Sequence, residues 1–217
     1  MRRVLRDNGL SLTLFALFLV FLIAQSIAGY KADTSDNQQH HQPPESYGGY
    51  LTSGAFVEAT FENWESEFLQ MGAYVVLTAL LIQKGSPESK DPDDDQGPPS
   101  RPTAPDAPGP VRRGGLALTV YEHSLSLALL ALFLVCLVLH ALGGHAAFNH
   151  QQLEHGAGAV SLWSFVTSSQ FWFQSMQNWQ SEFLAVAVLT VLGIFLRQRG
   201  SPESKPVAAP HAHTGSS

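Results

Sequence analysis

Two stretches of this chain leave little freedom in what it can fold into. Leu10 to Gly29 is twenty residues without a formal charge, and Leu125 to Gly144 is twenty more, interrupted only by the titratable His140. A hydrocarbon core about 30 Å thick is crossed by about 20 helical residues, so each stretch is long enough to span a bilayer. Two further apolar runs, Phe68 to Gln83 and Phe183 to Leu196, are shorter. Arg2, Arg3 and Arg6 ahead of a run that ends near Ser26-Ile27-Ala28 also give the outline of a signal peptide. The run at Leu125 lies deep inside the chain, where no signal peptide operates, and the two runs align with each other, so both are read as membrane helices.

That alignment is part of a longer one. A shift of 115 residues superposes Asn8 to Lys90 on His123 to Lys205 without a gap, with about 33 identities in 83 positions. Asn63-Trp64-Glu65-Ser66-Glu67-Phe68-Leu69 recurs as Asn178-Trp179-Gln180-Ser181-Glu182-Phe183-Leu184. Gly85-Ser86-Pro87-Glu88-Ser89-Lys90 recurs as Gly200-Ser201-Pro202-Glu203-Ser204-Lys205. The repeated unit is helix, polar loop, helix and a short tail, so the expected architecture is an all-α bundle of four transmembrane helices. It is built from two tandem helix-loop-helix hairpins in parallel orientation, residues 8–90 and 116–205.

Between the copies, residues 91–115 are rich in Pro, Asp and Gly and cannot bury enough apolar surface to offset the entropy of ordering, so a disordered linker is expected there. Residues 206–217 read the same way. The net charge of -6 owes much to Asp91 to Asp95 in that linker. The 12 Lys and Arg neither cluster nor interleave with aromatics, which excludes a nucleic-acid groove. The single cysteine, Cys136, falls in mid-helix, allows no internal disulfide and reads as a packing residue.

Basic residues resist translocation, and their distribution sets orientation. Arg2, Arg3, Arg6, Lys84, Lys90, Arg101, Arg112, Arg113, Arg197, Arg199 and Lys205 fall on one side of a four-crossing topology, and Lys31 alone on the other. Both termini are therefore expected in the cytoplasm. Trp64, Trp163, Trp172 and Trp179 fall at the opposite side, where Trp64 and Trp179 read as interfacial anchors. Gly85 and Gly200 read as helix C-caps, with Lys84, Arg197 and Arg199 in the final turns; the same tails also suit a docking or phosphorylation site for a cytoplasmic partner.

The even helices need their polar outward ends to reach spanning length, which draws Asn63 with Glu67 and Asn178 with Glu182 into the membrane as i, i+4 pairs. Gln25 and His140, which correspond under the shift, lie at the same depth on the odd helices. An ionisable group at that depth is a functional-site candidate, so Glu67, Glu182 and His140, with Asn63, Asn178 and Gln25 as neutral ligands, form a candidate proton or cation layer. The structural alternative has them as hydrogen-bond glue between helices. Below the layer, Gln70, Tyr74 and Thr78 continue a polar face in the first copy, where the second has Ala185, Leu189 and Gly193.

Outer-loop histidines His40, His41, His145, His150 and His155 lack the convergence of a zinc site, so no metal or cofactor is expected. No nucleophile-base spacing or phosphate-binding loop occurs, so no enzyme activity is expected either. On its two repeated motifs the chain resembles, over nearly its whole length, a family of bacterial membrane proteins known only as a domain of unknown function. The resemblance implies a bacterial cytoplasmic (inner) membrane location and brings no activity. Expected partners are the lipid bilayer and either further copies of the chain or another membrane protein. A structural or partner-binding role ranks first, and a proton- or cation-coupled transport element using the Glu67, Glu182 and His140 layer second.

Overall fold

The computed structural model describes residues 7–39, 42–43, 45–89 and 107–215. His40, His41 and the linker as far as Asp106 lie outside them. Among the described residues the protein is all α. Its helices are α1 (Gly9–Gln39), α2 (Tyr47–Tyr50), α3 (Gly54–Leu80), α4 (Gly109–Arg113), α5 (Gly115–Glu122), α6 (Ser124–Glu154), α7 (Leu162–Val166) and α8 (Ser169–Phe195).

Three of these, α1, α6 and α8, are long and apolar enough to cross a membrane. The helix α3 matches α8 in length at 27 residues. Its first half carries Glu58, Glu62, Glu65 and Glu67 together with Asn63, and Gln70 follows, so α3 is the more polar of the two. Along α1 the large side chains stand clear of protein, with Leu10 76%, Phe15 69% and Phe21 67% exposed, so this helix meets its apolar solvent outside the chain.

The described chain forms two compact units, Met1–Thr60 with Leu139–Thr167, and Phe61–Val138 with Ser168–Ser217. In the first, glycines let backbones touch. A Cβ on Gly54 would lie 2.5 Å from the Ala147 amide nitrogen, and one on Gly143 would lie 2.7 Å from that of Glu58. Only glycine permits helices to cross this closely. Tyr50 packs on Gly29, and Phe165, 115 positions later, packs on Gly144. The short helices that carry these rings start alike: the Ser46 hydroxyl accepts from Gly49 N–H at 3.1 Å, and the Ser161 hydroxyl accepts from Ser164 N–H at 3.2 Å.

In the second unit Gly72 of α3 packs against Leu129 of α6, and Phe133 and Cys136 are buried further along α6. The hydroxyl of Ser168 caps α8 by accepting from Phe171 N–H. The far ends differ from expectation: α3 stops at Leu80 and α8 at Phe195, before the cations assigned to their last turns. The reason is local. Gln83 N–H donates to the Ser89 hydroxyl at 2.9 Å and Gln198 N–H to the Ser204 hydroxyl at 2.8 Å, and these side-chain acceptors draw the backbone out of the helix.

Gly85 and Gly200 do take positive φ, +86° and +84°, within the tight turns that follow. After Pro206 the chain runs through turns to Gly215. Lys205 holds them. Its buried ammonium donates to the carbonyls of Gly85 (2.6 Å), His211 (2.9 Å) and His213 (3.1 Å), one for each of its protons. Burial keeps its pKa below the usual lysine range, and the nearby Arg197 acts in the same direction. Lys205→Met should strand these carbonyls and lower stability by about 1.5–3 kcal/mol, read as a lower melting temperature with faster proteolysis after Arg199.

Candidate functional site

A carboxylate is the costliest group to bury in an apolar bundle, so where one is buried, its partners define a site. In the second unit that residue is Glu65. The side chain is fully buried, and its Oε1 accepts from the Ser175 hydroxyl at 2.9 Å and the Trp179 indole N–H at 3.3 Å. Ser175 and Trp179 are one turn apart on α8 and present their donors together. Phe133 of α6 meets the Trp179 ring edge-on at 6.1 Å, and Trp172 meets it at 6.3 Å. The result is a buried acid held between α3 and α8, with Ser66, Gln70 and Cys136 also buried in this unit.

Of the residues singled out in the sequence, Glu67 and Asn63 are exposed, and Glu182 and Asn178 are half-buried. Glu67 and Glu182 lie within electrostatic range of each other. Trp64 stacks edge-on against Phe61 at 5.0 Å, while Trp179 is turned inward onto Glu65. Helical spacing in the sequence points to the Asn63 and Glu67 face and passes over Glu65. A signal was present, since Glu65 is Gln180 in the second copy, where a neutral side chain serves.

In the first unit His140 is fully buried, and a ring nitrogen and a Glu58 carboxylate oxygen lie within 4.8 Å of each other. The contact follows from the Gly143 crossing, which brings the Glu58 backbone onto α6. Carboxylate and imidazole are both metal donors, and Glu62 follows Glu58 by one turn of α3. Gln25 of α1 reaches the same stretch of α3, its amide donating to the Ala59 carbonyl at 3.4 Å and the Thr60 hydroxyl at 3.5 Å. His145, His150 and His155 diverge: His145 bonds the Val160 carbonyl, His150 pairs with Glu154, and His155 bonds the Gln151 carbonyl.

Residues 1–216 match the family described as Domain of unknown function (DUF6766). The chain belongs to that family. No curated protein and no solved structure matches it.

The repeated Gly-Ser-Pro-Glu-Ser-Lys segments of this DUF6766 chain prove to be serine-braced turns. Besides the Ser89 and Ser204 bonds, Glu88 N–H donates to the Ser86 hydroxyl (3.3 Å) and Glu203 N–H to the Ser201 hydroxyl (3.2 Å). Each turn thereby presents a glutamate. The Tyr74 hydroxyl of α3 donates to the Glu88 carboxylate. Burial pushes the Glu88 carboxyl above the usual carboxylate range, and the neighbouring Glu203, which hydrogen-bonds to it, pushes the same way.

Proposed function

We propose that this DUF6766 chain crosses a bacterial cytoplasmic membrane four times, through α1, α3, α6 and α8. The crossings make two tandem hairpins with both termini in the cytoplasm, and the protein acts there as a structural or partner-binding element without catalytic chemistry of its own. The observation that carries this reading is the exposure of α1 along its apolar length, which only lipid or another membrane helix can cover. The one-sided distribution of Lys and Arg supports the orientation, and the length of α3, equal to that of α8, supports the fourth crossing. Glycine crossings and hydrogen-bonded acids serve in this reading to fix the helices against one another.

Tags at the two ends test the topology. In intact cells neither should be labelled by an impermeant reagent, whereas one inserted at Gly158 should be; labelled ends would refute it. Native mass spectrometry of protein taken from its own membranes should reveal further copies or a bound protein.

A second reading, proton- or cation-coupled transport, draws support from the burial of Glu65. In proteoliposomes Glu65→Gln, or Glu67→Gln with Glu182→Gln, should then abolish flux driven by a pH gradient. Equal flux with and without the wild-type protein removes this reading.

A further inference from the structure

Gln70, Tyr74 and Thr78 recur every fourth residue on α3 and so share one helix face, and the second copy has nothing equivalent. In the structure they line a cavity of 380 Å³. Its opposite wall is α8, with Phe183, Val186, Ala187, Thr190 and Val191, and its end is closed by the first serine-braced turn, Gln83 to Ser89. The walls are mainly apolar. Among the described residues that line it, Glu88 is the single charged group, and no Lys, Arg or His is present.

A carboxylate at the end of an apolar chamber is an unbalanced arrangement. Glu203 adds a second acid beside it, so like charge gathers where burial already disfavours ionisation. The Tyr74 hydroxyl supplies a hydrogen bond but no positive charge. The turn is held rigidly: Gly85 N–H donates to the Thr214 hydroxyl at 2.9 Å, and Pro87 packs on Gly193 of α8. Glu88 is therefore fixed in place ahead of any ligand. What complements such a chamber is a molecule with an apolar body and one cationic head.

We propose that this cavity binds a lipophilic ammonium ion, with its alkyl chain among Leu77, Phe183, Val186 and Val191 and its head on the Glu88 carboxylate. The proposal rests on α3 and α8 being membrane helices, but its test in detergent does not depend on topology. The ammonium can come from an aminophospholipid headgroup or from a free amine. Binding favours the ionised form of Glu88, since the ligand supplies the positive charge that burial and the neighbouring Glu203 withhold.

Labelled octylammonium, titrated onto the full chain in a non-ionic detergent, should bind saturably, while octanoate should not compete. Glu88→Gln should weaken binding about tenfold or more, the loss expected when one member of a buried charge pair is removed. Octanol, which lacks the charge, should be unaffected by that variant. Ala187→Leu fills the chamber from the α8 wall and should weaken both ligands together. Each variant is accepted only if Cys136 stays as protected from maleimide as in the wild type.

Calorimetry in buffers of different ionisation enthalpy, run over a pH series, should show proton release on binding that grows toward the acid end. In nanodiscs, competition by phosphatidylethanolamine but not phosphatidylcholine would identify the lipid headgroup as the source, and equal affinity in both would identify a free amine. Unchanged affinity in Glu88→Gln and in Ala187→Leu, or octanoate binding as well as the cation, would overturn the proposal.

Discussion

Gly143→Leu is expected to abolish the folded first unit. A Cβ at this position would sit 2.7 Å from the Glu58 amide nitrogen and 2.9 Å from the Val57 Cβ, and a backbone atom of a packed helix cannot step aside as a flexible side chain can. Overpacking a core costs about 1–3 kcal/mol where side chains can adjust, so the cost here is expected at about 3 kcal/mol or more. The crossing also brings Glu58 to His140, and the variant should separate them. Measured as the yield of monodisperse protein in mild detergent and as melting temperature, Gly143→Leu should fall well below wild type. Gly158→Leu is the control. Nothing lies within 4 Å of a Cβ at Gly158, so its change should stay within about 0.5 kcal/mol.

The second large effect is expected at Glu65. Glu65→Ala removes the acceptor of the Ser175 hydroxyl and the Trp179 indole, leaves one buried and one half-buried donor, and opens a void at a fully buried position. Unsatisfied donors cost about 1–3 kcal/mol and voids add to this, so a loss of about 2–4 kcal/mol is expected. Glu65→Gln keeps a carbonyl oxygen in place and should cost less than about 1 kcal/mol. A double-mutant cycle of Glu65→Ala with Ser175→Ala should show coupling of about 0.5–3 kcal/mol. Cys136 supplies an independent readout. It is the chain's single thiol and is 3% exposed in the same unit, so maleimide should reach it faster in Glu65→Ala than in Glu65→Gln. Equal rates would show that Glu65 does not hold this region closed.

Much of the fold is legible in the residues because lipid imposes a simple rule on them. Uncharged runs of twenty residues announced α1 and α6. The helix ends were less legible. Gly85 and Gly200 correctly marked positions of positive φ, but the pull of Ser89 and Ser204 on Gln83 and Gln198 acts across six residues and overrides the local propensity of Leu81 to Lys84.

The site was harder still. Helical spacing grouped Asn63 with Glu67, whereas burial selects Glu65, because the donors that make its burial tolerable sit 110 and 114 residues away on α8. Periodicity within one helix cannot report such a partner. The Gln70, Tyr74 and Thr78 face was visible in the sequence, yet its meaning depended on Glu88, which reaches α3 only after the chain reverses at Gly85.

The claim beneath all of this is that lipid surrounds α1, α6 and α8. Washing membranes from expressing cells with alkaline carbonate puts that claim to the most direct trial. The full chain should stay in the membrane pellet and leave it only with detergent. Its release into the aqueous wash as a monodisperse protein would contradict the account.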